Sequence, residues 1–213
     1  MHIDPVRDAL LVVDLQHDFL PGGALAVAEG DAVVAPTARI AAAFRTVVAT
    51  QDWHPRGHVS FASAHPGRHP FESLALPRGP QELWPDHCVQ GSPGAALHPG
   101  LPDAALTLVL RKGTRAEVDS YSAFRENVGP DGRRPTTGLG AWLAARGVKR
   151  LFLAGLARDF CVRASAEDAA AEGFEVILLD DLTRAVFPDR RAAVDAALGA
   201  AGVRLLASEE LEG

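Results

Sequence analysis

Apolar residues gather in six short runs separated by polar, glycine-punctuated segments. The runs are ALLVVD (9–14), TVVAT (46–50), LTLVLR (106–111), RLFLAG (150–155), EVILLD (175–180) and VRLLA (203–207). They are continuous rather than alternating, which predicts strands in a sheet covered on both faces. Between them, alanine-rich stretches at roughly 31–45, 137–147, 161–172 and 188–201 have helical periodicity. Pro36 weakens the early part of the first. Strands alternating with helices predict an α/β fold, a three-layer, doubly wound and mainly parallel sheet of Rossmann-like type. No repeat, low-complexity tract or linker divides the chain, so a single domain over 1–213 is expected.

The rhythm breaks over 52–105, which holds nine of the 15 prolines and six of the eight histidines. So long a connection in a compact domain is functional or disordered, and its aromatics and histidines favour function.

In open α/β sheets, ligands bind beyond the carboxyl ends of the strands. The first run ends at Asp14, inside VVDLQHDFLPGGAL. The second leads into TQDWHPRGHVSF, with Asp52, His54 and His58. The third leads to Lys112, inside LRKGTRAEVDSYSAF, and the fourth into GLARDFCV, with Cys161. An acid, a ligand-like cluster, a lysine and a cysteine at one edge look like an active site.

Cys161 has two readings. It is a small core residue, or a nucleophile at a helix N-terminus whose dipole and free N–H groups lower the thiol pKa and bind an oxyanion. Asp14 either caps a turn or serves the chemistry, and Lys112 is either solvated or a partner that favours a thiolate. Asp18 is read as serving its loop, and Gln16 as a hydrogen-bond partner of the site. Asp52 and His54, two apart in extended chain, share a face and suit a divalent transition ion. His87, in WPDHCVQG, is a remote third ligand candidate, and His58 a ligand or a supporting partner. Cys88 is read as structural, and His65, His69 and His98 as loop residues.

Composition narrows the partners. A net charge of −6 with no basic run argues against nucleic acid. No segment approaches the ~18 apolar residues of a membrane span, and no signal-peptide core precedes the first run. Two cysteines make no disulfide framework, and a reducing cytoplasm is the simplest compartment.

Together these stretches resemble the nicotinamidases of the isochorismatase-like cysteine hydrolases. The matching segments are VVDLQHDFLPGGAL, TQDWHPRGHVSF, WPDHCVQGSPGAALHP, RKGT with DSYSAF, and GLARDFCV, in the family's order from residue 9 to about 187. The resemblance implies hydrolysis of nicotinamide to nicotinate and ammonia through a cysteine thioester, in NAD salvage. It implies a catalytic triad of Asp14, Lys112 and Cys161, and an oxyanion hole from the Ala157 and Cys161 N–H groups beside a cis Leu156–Ala157 peptide. It implies one divalent metal on Asp52, His54 and His87, with His58 a less certain contributor. Zinc is the first candidate, with iron or manganese also in use in such enzymes. Phe19 and Trp84 match positions that sandwich the substrate ring, and Tyr121 a position lining the pocket. Relatives range from monomers to larger homo-oligomers, and nothing here selects one.

Three departures stand out. Arg158 replaces a frequent Thr or Leu, which suggests an altered pocket rim. Phe160 replaces Tyr or His, and DLTRAVF (181–187) replaces the usual DATRAV. The nearest alternative is an amidase of the same superfamily for N-carbamoyl or ureido compounds, whose members generally lack the metal cluster. A true isochorismatase is disfavoured by the presence of Cys161. A zinc-binding or redox-sensing protein lacks a resolving cysteine. A nucleotide-binding oxidoreductase lacks a G-x-G-x-x-G after ALLVVD.

Overall fold

The computed structural model describes residues 1–77 and 79–212. The strands are β1 (Asp8–Val13), β2 (Thr46–Asp52), β3 (Ser73–Leu76), β4 (Gly79–Glu82), β5 (Leu108–Lys112), β6 (Arg150–Leu156), β7 (Glu175–Arg184) and β8 (Arg204–Leu206). The helices are α1 (Val34–Ala41), α2 (Leu139–Ala145), α3 (Arg163–Ala171) and α4 (Arg191–Ala200). Six strands form one parallel sheet in the order β5-β2-β1-β6-β7-β8, and β3 and β4 form a separate antiparallel hairpin.

Both side-chain sets of each central strand are buried, which explains the unbroken apolar runs. Leu10, Val12, Val47, Ala49, Phe152, Ala154, Ile177 and Leu179 enter one core, joined by Val34 and Ala41 of α1. Their neighbours Leu11, Val13, Val48, Leu151, Leu153, Val176 and Leu178 enter the other. There they meet Leu139 and Leu143 of α2, Ala166 and Ala169 of α3, and Val194 and Leu198 of α4. Each fully buried Leu, Ile or Phe is worth about 1.5–3 kcal/mol over an exposed one, so a polar residue on either face is costly. Among the described residues no helix is long and apolar enough to cross a membrane.

The sheet reverses its direction of growth at β1. The chain steps from β1 to β2 and β5 on one side, then returns to lay β6 on the other. This switch point opens a crevice at the carboxyl ends of β1 and β6. The two strands approach closely at Gly155, where an added Cβ would meet the Val13 carbonyl oxygen at 2.0 Å. Gly155 also has φ +113°, open only to glycine.

The structure revises several element boundaries. The helix expected over 31–45 is confined to Val34–Ala41, preceded by a 3₁₀ turn at Gly30–Val33. Pro36 sits in its first turn, where a missing N–H leaves no bond unmade. The chain from Arg158 to Val162 is a single π turn feeding α3, rather than the start of a regular helix. The β3–β4 hairpin was not expected; SLAL and GPQE are short, and GPQE carries no apolar pattern.

Arg158 is a clamp rather than a rim residue. Its side chain is 2% exposed and lies away from the pocket described below. Its guanidinium donates to Asp195 Oδ1 on α4 (3.1 and 2.6 Å), and to Asp180 Oδ1 (2.8 Å) and Thr183 Oγ1 (2.8 Å) on β7. The expectation that it reshapes the pocket rim is therefore corrected: a long cation can be buried here because two carboxylates from separate elements meet it. Arg158→Ala opens a cavity and leaves Asp180 and Asp195 with the half-exposed Arg191 as their shared cation. It should cost about 2–4 kcal/mol, which thermal denaturation reads as a loss of roughly 5–15 °C in Tm.

Candidate active site

Three adjacent strands deliver three charged side chains to one point. Asp14 follows β1, while Asp52 and Lys112 end β2 and β5 and are direct register partners. The Lys112 ammonium lies 2.8 Å from Asp14 Oδ2 and 2.5 Å from Asp52 Oδ1. It also donates to the Ser120 carbonyl (3.2 Å) and to Cys161 Sγ (3.3 Å). All four side chains belong to buried residues. Sγ of Cys161 and carboxylate oxygens of Asp14 and Asp52 lie within 4.8 Å of one another.

Local bonds aim the two acids. Asp14 has φ +48°, a conformation that Asp tolerates better than most residues. Its amide donates to Thr50 Oγ1 (3.1 Å), and the Thr50 hydroxyl donates back to Asp14 Oδ1 (2.6 Å). Gln16 brackets the Asp52 peptide, accepting from its N–H and donating to its C=O, both at 2.8 Å. The supporting role expected for Gln16 is thus seen directly.

The electrostatics set the resting protonation. Burial would drive the Lys112 ammonium to lose its proton, but Asp14 and Asp52 override it and hold its pKa well above the ordinary value. Burial pushes the Asp14 carboxyl up, with Lys112 opposing. Burial also pushes the Cys161 thiol well up, again against Lys112. Burial and the Asp14 and Asp52 carboxylates thus work against the depressed thiol pKa expected from a helix N-terminus. A buried Asp14 with raised proton affinity, close to Cys161 Sγ, is suited to exchange a proton with the thiol.

Beside this cluster lies a donor set. His54 Nε2 and His87 Nε2 sit 3.5 and 4.0 Å from Asp52 Oδ2. Both Nδ1–H groups are committed to backbone carbonyls, His54 to Gly113 (2.9 Å) and His87 to Pro85 (2.8 Å). The two Nε2 lone pairs are thereby left converging on a carboxylate, the arrangement that holds a divalent transition ion with coordination positions to spare. Gly113 makes room for this, since a Cβ there would meet the His54 ring at 2.4 Å. Burial works against a charged His54, but Asp52 overrides it and raises its pKa. Burial and His54 push His87 down to about 4. Asp52 resists burial and stays well below the usual carboxylate range because of Lys112 and the histidines.

His58 is placed differently. Its Nε2 faces the Val118 carbonyl (3.1 Å), and its Nδ1 is met by Ser60 Oγ (2.7 Å) and the Ser60 amide (3.3 Å). With both nitrogens engaged, it supports His54 by stacking at 4.2 Å and stands outside the Asp52–His54–His87 group. Cys88 is buried, as expected; its amide donates to Asp18 Oδ2 (2.7 Å) and its carbonyl accepts from the His54 amide (2.9 Å). Asp18 thus serves its loop, also as expected.

A small, largely apolar cavity joins the thiol to the donor set. Phe19, Trp84, Tyr121, Ala157, Cys161, Asp52, His54 and His87 all line it, while Asp14 and Lys112 lie behind the thiol. The Leu156–Ala157 peptide is cis. Sequence reasoning did not assign Leu25, Asp119, Phe160 and Val186 to the wall. Asp119 lies within DSYSAF and Phe160 adjoins Cys161, so both carried a positional signal; Leu25 and Val186 carried none. Phe160 stands edge-on to Trp84 at 4.8 Å, extending the aromatic wall. Asp159 accepts from the Val186 and Phe187 amides, both at 2.9 Å, and so ties that part of the wall to the cysteine turn.

The chain is similar to known proteins over most of its length. The isochorismatase domain model matches residues 8–210. The chain is 46% identical over 178 residues to a nicotinamidase of Acinetobacter baylyi, covering 84% of this chain and 81% of that one. It is 47% identical over 182 residues to a nicotinamidase of Escherichia coli, covering 84% and 83%. A solved nicotinamidase and pyrazinamidase of Acinetobacter baumanii superposes with a TM-score of 0.92 at 40% identity, over 98% of this chain and 99% of the other. A pyrazinamidase of Pyrococcus horikoshii in complex with zinc superposes with a TM-score of 0.76 at 34% identity, over 94% and 99%.

Replacing one imidazole tests the donor set. His87→Ala should weaken Zn²⁺ binding at least about a hundredfold in a chelator competition. Unaltered affinity would exclude the set. Because the ion must displace the proton that Asp52 favours on His54, affinity should fall as pH drops, by up to about tenfold per unit below the His54 pKa.

Proposed function

The chain belongs to the isochorismatase family, and we propose that it is a nicotinamidase, hydrolysing nicotinamide to nicotinate and ammonia in a cytoplasmic NAD salvage route. The observation that carries this reading is one small cavity with a thiol at one end, a metal-ligand set at the other and aromatic walls between. A pyridine carboxamide needs each of these: a nucleophile for the amide carbon, a Lewis acid for the ring nitrogen and flat apolar surfaces for the ring.

Asp14 takes the thiol proton as Cys161 Sγ attacks the carboxamide carbon. The Ala157 and Cys161 N–H groups hold the oxyanion, and Asp14 then protonates the departing nitrogen, releasing ammonia and leaving a thioester. Asp14 next deprotonates a water that attacks the thioester carbon. The C–S bond breaks, nicotinate forms, and the proton on Asp14 returns to sulfur. Lys112 keeps its charge throughout and steadies each anionic stage of the aspartate–cysteine pair. Asp52, His54 and His87 would hold the divalent ion, zinc being the first candidate, which supplies a Lewis-acid seat for the ring nitrogen. Phe19 and Trp84 would fix the ring plane, with Tyr121 at the wall.

Ammonia release from nicotinamide is the direct test, on protein of measured metal content. Cys161→Ala should lower kcat at least about 10⁴-fold while metal stays bound. Comparable turnover without the sulfur would overturn the covalent mechanism. No release from folded, metal-loaded protein would turn attention to N-carbamoyl and ureido amides.

A further inference from the structure

Asp119 is a buried carboxylate on the cavity wall that the hydrolysis does not use. It is 3% exposed and stands at the metal end, where an oxygen lies within 4.8 Å of ring nitrogens of His54 and His58. Gln81 Nε2 donates to its Oδ2 and the Ser120 amide to its Oδ1, both at 2.8 Å, so both oxygens serve as acceptors. Among the described residues no lysine or arginine pairs with it, and Lys112 is committed to Asp14 and Asp52. The lining residues include no cationic Lys or Arg.

In and behind this cavity, three buried carboxylates, those of Asp14, Asp52 and Asp119, are thus balanced by a single ammonium, which pairs with the first two. A divalent ion on Asp52, His54 and His87 cancels the difference, leaving the site neutral overall. Nicotinamide is also neutral; its hydrolysis product carries one negative charge in the same cavity. Asp119 lies within 4.8 Å of His54, His54 of Asp52, and Asp52 of the Cys161 sulfur, so a ligand between them stands within about 10 Å, one Debye length, of every wall charge and is little screened from it. At an effective dielectric constant of about 20, one unit charge over that distance changes binding by a factor of roughly ten or more.

We propose that Asp119 is a specificity residue that discriminates against the carboxylate product, holding the site at neutrality so that the amide is preferred and the acid leaves. This inference rests on the nicotinamidase reading and concerns the same cavity.

Two binding measurements test it on metal-loaded Cys161→Ala protein, where no ligand can bond to sulfur. The probes are nicotinate and 3-acetylpyridine, a neutral ring of similar shape, titrated by calorimetry near neutral pH. With Asp119 present, nicotinate should bind at least about tenfold more weakly than the ketone; equal affinity overturns the inference without any change at position 119. With Asp119→Asn added, nicotinate should tighten about tenfold while the ketone moves less than about threefold. Parallel shifts, an unchanged nicotinate affinity, or loss of metal from the variant would each overturn it. Failure of the unmodified chain to release ammonia from nicotinamide sinks the functional reading instead. Release of ammonia together with tight nicotinate binding sinks this inference alone.

Discussion

A buried ammonium held between two buried carboxylates is the constraint on which the rest of this site depends. Lys112 reaches Asp14 and Asp52 because β5, β2 and β1 lie side by side and parallel, with the acids and the lysine at one edge. None of the three charges is tolerable alone at that depth. Together they couple two chemistries through Asp52, whose Oδ1 meets the lysine while its Oδ2 meets the two imidazoles. The His54–His87 donor set and the Cys161 thiol are therefore parts of one ionic network.

That network keeps its protons inside the protein. The thiol and the Asp14 carboxyl both have raised proton affinity, and the ammonium never has reason to release its own. Of the two carboxylates near the sulfur, Asp52 is engaged by Lys112 and the histidines, which leaves Asp14 as the group best placed to exchange a proton with it.

Much of this was legible in the chain, for physical reasons that can be named. The apolar runs announced buried parallel strands because both faces of the sheet are covered. Polar residues at the ends of those runs announced the site because parallel strands bring their carboxyl ends to one edge. The β3–β4 hairpin was illegible because GPQE has no apolar period. The role of Arg158 was illegible because its partners Asp180 and Asp195 lie on β7 and α4, more than twenty residues away. The surroundings of Cys161 were only partly legible from local position, since burial and carboxylates from other strands also act on the thiol. His58 read as a ligand candidate from its spacing alone; Val118 and Ser60, which occupy its nitrogens, could be placed only by the fold.

The Asp159 carboxylate bears on how such a pocket is held together. By gripping the Val186 and Phe187 amides, it makes one side of the wall move with the cysteine turn. The opposite side, Phe19 and its loop, is anchored elsewhere: the neighbouring Asp18 amide bonds to Gly94, and the Phe19 carbonyl accepts from Val27. Through the Asp18 carboxylate, which holds the Cys88 amide beside His54, that loop is coupled to the histidine end. The two walls therefore answer to different ends of the pocket, one to the sulfur and the other to the imidazoles.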